Sequence, residues 1–178
     1  MHLPTHFFLS WAVAEVKPLS FRDRWLVAMT GIAPDLDGLG IIQGVESFQK
    51  WHHTFGHALP SGICILTIAI LLSKQKSLVP WLCLGTYYLH ILCDFFGSGG
   101  PEGSSWPILF FWPVSDVAYY SPYQWELNSP INITITILAI LALIFLGARR
   151  ERTPMELFSK SLDQKIVEVF KRWTPNWR

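Results

Sequence analysis

Three of the six histidines fall within six residues, in the stretch Trp51-His52-His53-Thr54-Phe55-Gly56-His57. On a helix, His53 and His57 share a face, because residues four apart are neighbours there. Two imidazoles at fixed spacing are half of a metal site, and the other half must come from further convergent lone pairs. The chain offers them in three more places. His6 lies in the first apolar segment, Asp35 and Asp37 lie in Pro34-Asp35-Leu36-Asp37-Gly38, and His90 and Asp94 form a second pair one helical turn apart. The set His6, Asp35, Asp37, His52 or His53, His57, His90 and Asp94 is too large for one tetrahedral ion and suits one or two ions. Mixed imidazole and carboxylate favours zinc, then manganese or iron, over magnesium or calcium, which prefer all-oxygen shells. Two adjacent ions can share a bridging carboxylate, Asp94 or Asp35, and clamp both in-line oxygens of a phosphoester. Asp37 is open to two roles, ligand or general base.

Each piece also has a plainer reading. Asp35 and Asp37, flanked by proline and glycine, suit a turn and a helix cap. His90 and Asp94 suit an ion pair without metal. Gly97, Gly99, Gly100 and Gly103 make a weak case for a phosphate nest, since no GK[ST] follows. Trp106-Pro107 and Trp112-Pro113 read as interfacial aromatics. Cys64, Cys83 and Cys93 lie in apolar runs without CxxC spacing and read as buried packing thiols.

These residues must be positioned by an unusually apolar chain. Hydrophobic residues make up 51% of its 178 residues, which points to a membrane protein. The formal net charge of +1 gives no electrostatic case for nucleic acid. The first lysine or arginine is Lys17, so the start lacks the charged n-region of a signal peptide. Apolar segments run over 5–14, 25–33, 58–73, 78–96 and 131–147, the last without a charge. The fold expected is an all-α, polytopic membrane bundle of about five embedded helices. The first two, of about a dozen residues or roughly 18 Å each, are short against a hydrocarbon core of about 30 Å. Residues 1–148 form the membrane-embedded metal-site domain. Residues 149–178 form a basic amphipathic tail, with Phe158, Leu162, Ile166, Val169 and Trp173 on a stripe suited to a membrane surface.

Charge sets the expected topology. The stretches 17–24, 74–76 and 149–178 hold 13 of the 14 lysines and arginines, and short basic loops mark the cytoplasmic side. Alternating the apolar segments between them places the N-terminus, 35–57 and 95–130 on the other side. All the candidate ligands fall at those outward ends. Ionisable residues at membrane depth are costly, so their clustering at one level reads as function.

The order of motifs resembles the predicted membrane-bound metal-dependent hydrolases, a family with LexA-regulated bacterial members. The matching pieces are His6, Pro34-Asp35-Leu36-Asp37, His52 through His57, His90 to Asp94, and Trp112-Pro113, covering the chain to about residue 132. That family commonly has arginine after the first histidine of its double motif, and His53 stands there in this chain. The choice between His52 and His53 as ligand therefore stays open, with His52 favoured by position. The motif order is distantly similar to zinc-dependent phospholipase C. The resemblance implies a bacterial inner-membrane hydrolase that cleaves a phosphoester, such as a lipid headgroup, by metal-activated water, with membrane lipids as partners. The alternative is a metal-binding membrane protein that does not catalyse, a sensor or carrier. A metalloprotease would need HExxH, which the chain lacks.

Overall fold

The computed structural model describes residues 1–174. Among them are seven α-helices: α1 (Leu3–Ala14), α2 (Phe21–Thr30), α3 (Val45–Trp51), α4 (Ser61–Leu72), α5 (Val79–Gly97), α6 (Pro130–Arg150) and α7 (Lys160–Trp173). A 3₁₀ stretch, Pro34–Gln43, follows α2. No strand occurs among the described residues, only two isolated bridges in the 99–126 region.

The chain's own punctuation sets the helix ends. Ser20 Oγ accepts the Asp23 N–H at 3.3 Å and caps α2, and Ser129 does the same for Asn132 at the head of α6. Proline in the first turn opens α1, α5 and α6, where its missing N–H costs nothing.

α1 packs on α2, α5 and α6, and α4 pairs with α5. Trp11, Trp25 and Ala28 form one buried cluster, with Phe7 and Leu143 against it. Ala14, Leu19, Val27, Ala69, Val79 and Cys83 form a second. The outside is apolar as well: Ile63, Ile68 and Leu71 of α4 and Ile133, Ile137 and Leu138 of α6 are all exposed. A helix surface of that kind is stable only against lipid or another apolar partner.

α5 and α6 are long and apolar enough to cross a membrane. α2 and the following 3₁₀ stretch, bent by 63°, make a third crossing if they count as one broken span. Two to three spans replace the expected five. The reason is length: α1, α2 and α4 have 12, 10 and 12 residues, so α4 joins the first two as a short helix. α1 and α2 pack on the longer helices, burying Trp11, Ala14, Val27 and Ala28.

The two ends of the bundle differ in chemistry. At one end Glu15, fully buried, meets Arg152 at 3.0 Å and Arg24 at 3.5 Å, while Arg24 reaches Glu156 at 2.6 Å. Asp23 there accepts the Lys74 and Gln75 N–H groups of the α4–α5 turn, at 2.7 and 3.3 Å. The histidine-rich motifs gather at the opposite end. α7 folds back on α6, with Val167 buried and Asp163 accepting from the Thr153 N–H and hydroxyl at 2.7 and 2.6 Å. Of the stripe expected there, Phe158, Leu162, Val169 and Trp173 are exposed and Ile166 is half-buried. Cys64 is exposed on the outward face of α4 and is not the buried thiol expected; Cys83 is buried and Cys93 half-buried.

Candidate metal centre

Four parts of the chain deliver side chains to one point. α1 brings His6, the 3₁₀ stretch brings Asp35 and Asp37, the loop after α3 brings His52, His53 and His57, and the last two turns of α5 bring His90 and Asp94. The helix expected under His53 and His57 is absent. α3 stops at Trp51, and His53 takes a left-handed backbone with φ of 67°, so a loop and not a helical face makes those rings converge. The loop is pinned from two sides. The Tyr87 hydroxyl donates to the Gly56 and Ala58 carbonyls at 2.8 and 2.9 Å, and the Thr54 N–H donates to Asp37 Oδ2 at 3.2 Å. At Gly56 a Cβ would collide with the Pro34 carbonyl oxygen and stand 2.9 Å from Asp37 Oδ2. Only glycine lets the loop cross the 3₁₀ stretch this closely.

Asp94 is the hub. Its Oδ2 lies 3.0 Å from His90 Nε2, 3.3 Å from His57 Nε2 and 3.9 Å from His53 Nε2. Its Oδ1 lies 3.1 Å from His6 Nε2 and also meets the Met1 amine. His90 Nε2 is 3.2 Å from His57 Nε2 and 3.6 Å from Asp35 Oδ1. Asp35 Oδ1 is in turn 4.0 Å from His52 Nε2. All five rings thus turn Nε2 toward a carboxylate.

The other ring nitrogens explain that orientation. His90 Nδ1 donates to the Gly31 carbonyl at 2.7 Å and His53 Nδ1 to the Pro107 carbonyl at 3.2 Å. His57 and His52 Nδ1 donate to the two oxygens of Asp37, at 2.9 and 2.8 Å. A carbonyl or carboxylate can only accept, so these four rings carry their proton on Nδ1. Their Nε2 atoms are left with a lone pair unless the ring is doubly protonated. Only His6 is unassigned, since its buried Nδ1 has no hydrogen-bond partner.

Two lone pairs 3.2 Å apart, both beside a carboxylate, repel unless a cation or proton lies among them. The spacing suits an ion. Ligand atoms held at about 2.0 Å around a tetrahedral centre stand about 3.3 Å apart, against the 3.0, 3.2 and 3.3 Å of the Asp94–His57–His90 triangle. Ligand atoms of Asp35, His57, His90 and Asp94 all lie within 4.8 Å of one another. Asp37, His52 and His57 meet the same limit, but their separations are hydrogen bonds made through the protonated Nδ1 atoms. That second group has the form of an outer shell that orients ligands.

Burial shapes the protonation. His57 is fully buried, which disfavours its charge, but the hydrogen bonds and charges of Asp37 and Asp94 outweigh this and raise its pKa to about 9. His53 goes the other way: burial and then the neighbouring His57 charge hold its pKa well below the usual range. The centre is closed except beside His52 and Asp35, whose side chains are 11% and 21% exposed. On the far side of Phe48 and Trp106 lies a groove of about 310 Å³, lined by these two with Val45, Gln49, Gly100, Ser104 and Ser105. Phe48 stacks on His52 at 4.6 Å between ring centres, and Trp106 stands 5.1 Å from His52 and 4.9 Å from His53.

The geometry thus draws His6, Asp35, His57, His90 and Asp94 together. It sets Asp37 behind them with both oxygens engaged, which leaves no free oxygen for a general base. His52 sits at the open edge, and His53, less favoured in the sequence, is buried against Asp94. Trp106-Pro107 belongs to the site and not to a membrane interface. The carbonyls of Gly31 and Pro107 carry no sequence signal; Tyr87, a polar residue one turn before His90 in an apolar helix, does. The glycines at 97–103 form no nest: the Gly99 and Gly100 N–H groups donate to the Trp125 and Ser104 carbonyls.

Comparison with known proteins adds a family and no chemistry. Neither the curated proteins nor the solved structures give a match. One family model, described as YdjM inner membrane protein, matches residues 1–162, which reaches past the expected 132 and takes in every residue of the centre. The spans, the apolar exterior and this match make the chain an integral membrane protein and a member of the YdjM inner membrane protein family.

Proposed function

We propose that the chain is a membrane-embedded, metal-dependent hydrolase acting on a phosphoester. The observation that carries this reading is the tautomer pattern: four imidazoles with Nδ1 tied to acceptors, all turning Nε2 toward Asp94 or Asp35. His57, His90, Asp94 and Asp35 would hold the ion, zinc before manganese or iron. His6, beside Asp94, would help to hold a second ion. An ion bound there supplies Lewis acidity toward a phosphoryl oxygen and toward water.

The protein supplies the rest. His52, at the open edge with its Nδ1 held by Asp37, has the arrangement of an oriented acid–base histidine. Phe48 and Trp106 wall it on the groove side. Asp37 acts through His52 and His57 as a positioning residue. The 3₁₀ stretch that carries Asp35 exposes Leu36, Leu39, Ile41 and Ile42, an apolar collar that favours a lipid-like ester over a soluble one. The concentration of basic residues at the opposite end supports a site facing away from the cytoplasm, with a cytoplasmic C-terminus.

The test is metal analysis of the purified protein together with a panel of phosphomonoesters and phosphodiesters, lipid and soluble. Wild type should carry one or two equivalents and cleave a lipid ester. His90→Ala should lose metal and turnover together; His52→Ala should keep metal and lose turnover. A second reading, metal binding without catalysis, is favoured by the burial of His6, His53, His57, His90 and Asp94, each at most 2% exposed. A metal-loaded, folded protein inert on the whole panel would establish it.

A further inference from the structure

At the end of the bundle away from the histidines, two grooves meet. One, of about 390 Å³, runs along α2 and is lined by Phe21, Arg22, Trp25, Leu26, Met29 and Leu157. The other, of about 630 Å³, shares Phe21 and Leu157 and adds Glu156, Phe158, Ser159 and Lys160. Phe21, Trp25 and Met29 are four apart and form one stripe of α2, about 12 Å long at the helical rise. The first groove is thus an open apolar furrow with one charged residue, Arg22, in its lining.

Each groove brings one exposed cation, Arg22 to the first and Lys160 to the second. Neither makes an ion pair among the described residues. The nearby Arg24 and Arg152 are different, being held by Glu156 and Glu15. Glu156, the acid of the second groove, is already paired with Arg24 at 2.6 Å. What remains on offer is two free positive charges beside an apolar furrow. α2 is also the first half of the bent apolar pair, and on its stripe Phe21 and Met29 are exposed while Trp25 between them is buried.

We propose that this paired groove binds one anionic phospholipid, with an acyl chain along Phe21, Trp25 and Met29 and the phosphate at Arg22 and Lys160. A zwitterionic lipid brings its own cation to the same place and loses the advantage. Basic pockets beside membrane helices recognise acidic headgroups by this logic, with each nearby Lys or Arg contributing about fivefold in binding. The site does not depend on the metal centre or on any activity.

Native mass spectrometry of the full-length protein in neutral detergent tests it, with phosphatidylglycerol and phosphatidylcholine added in equal amounts. Phosphatidylglycerol should be retained preferentially. Arg22→Ala and Lys160→Ala should each lower that preference about fivefold, and Met29→Trp, which fills the furrow, should lower retention of both lipids. Lys165→Ala, an exposed cation elsewhere on α7, should leave it unchanged, and thermal unfolding confirms that each variant is folded. Equal retention of the two lipids overturns the proposal. So does an equal effect of Lys165→Ala, which means diffuse surface charge, or displacement by sn-glycerol 3-phosphate, which means a headgroup contact without a seated chain.

Discussion

Replacing Asp37 by asparagine separates the two jobs assigned to that carboxylate. Its oxygens receive three donors: His52 Nδ1–H on Oδ1 at 2.8 Å, and His57 Nδ1–H and the Thr54 N–H on Oδ2 at 2.9 and 3.2 Å. Asparagine keeps one acceptor and turns the other position into a donor. The Oδ2 position satisfies two donors, so the amide oxygen settles there and the NH₂ group faces His52. His57 then keeps its proton on Nδ1 and its lone pair toward Asp94. His52 must accept at Nδ1, which moves its proton to Nε2 and leaves no basic nitrogen at the open edge. Metal affinity should fall by about tenfold, the low end of an outer-shell change. Turnover should fall about a hundredfold or more, the usual size of a general-base contribution. Alanine leaves all three donors buried without partners, at about 1–3 kcal/mol each, and should compromise folding itself in a protein of ordinary stability, about 5–15 kcal/mol. Chelator competition reads the affinity, the phosphoester panel reads turnover, and the ¹⁵N shifts of His52 read the tautomer. An Asp37→Asn protein that loses its metal as completely as His57→Ala would refute the reasoning, because Asp37 would then be a ligand. So would one that keeps both metal and turnover.

Metal binding should also depend on pH through His57. Its pKa is raised to about 9 in the metal-free protein, so an ion must displace a proton at any lower pH. Affinity should therefore rise with pH, by up to tenfold per unit, and level off above about 9; isothermal titration in buffers of different ionisation enthalpy counts the proton released. Gly56→Ala should destabilise the protein and abolish metal retention by driving the loop off the Pro34 carbonyl, measured by thermal unfolding and metal content of any folded fraction. For topology, Ser104→Cys, on the exposed loop beside the groove, should react with an impermeant thiol reagent on intact cells in a variant lacking Cys64, Cys83 and Cys93. Labelling only after permeabilisation reverses the orientation.

Much of the centre was legible because its residues lie where sequence rules reach. His90 and Asp94 are one turn apart on a helix long enough to be read as one, and their atoms do meet, at 3.0 Å. Alternating charge puts His6, Asp35 and His57 at one end without any knowledge of packing, and the same rule puts Arg24 and Arg152 at the other. The number of spans was less legible. The shortness of α1 and α2 shows in the sequence, but the apolar run 58–73 reads as a crossing, and the helix built from it, α4, has only 12 residues. The double histidine hides its geometry for a related reason. Helical spacing puts His53 and His57 on one face, but Gly56 and the Pro34 carbonyl force a crossing loop, and that crossing is a tertiary fact.

What separates a metal centre from a cluster of buried histidines is the second nitrogen of each ring, and its partners are mostly not side chains. Gly31 and Pro107 act through carbonyl oxygens, which every residue has, so no residue type announces them. Asp37 does appear in the sequence, two residues from Asp35, and as a type it is indistinguishable from a ligand. Its role follows from depth: the 3₁₀ stretch sets Asp35 at 21% side-chain exposure and buries Asp37 completely. A carboxylate buried between two Nδ1–H groups cannot also face a substrate, while one left at the open edge can. The different burial of these two acids follows from the pitch of a 3₁₀ turn, which puts residues two apart on different sides of the segment.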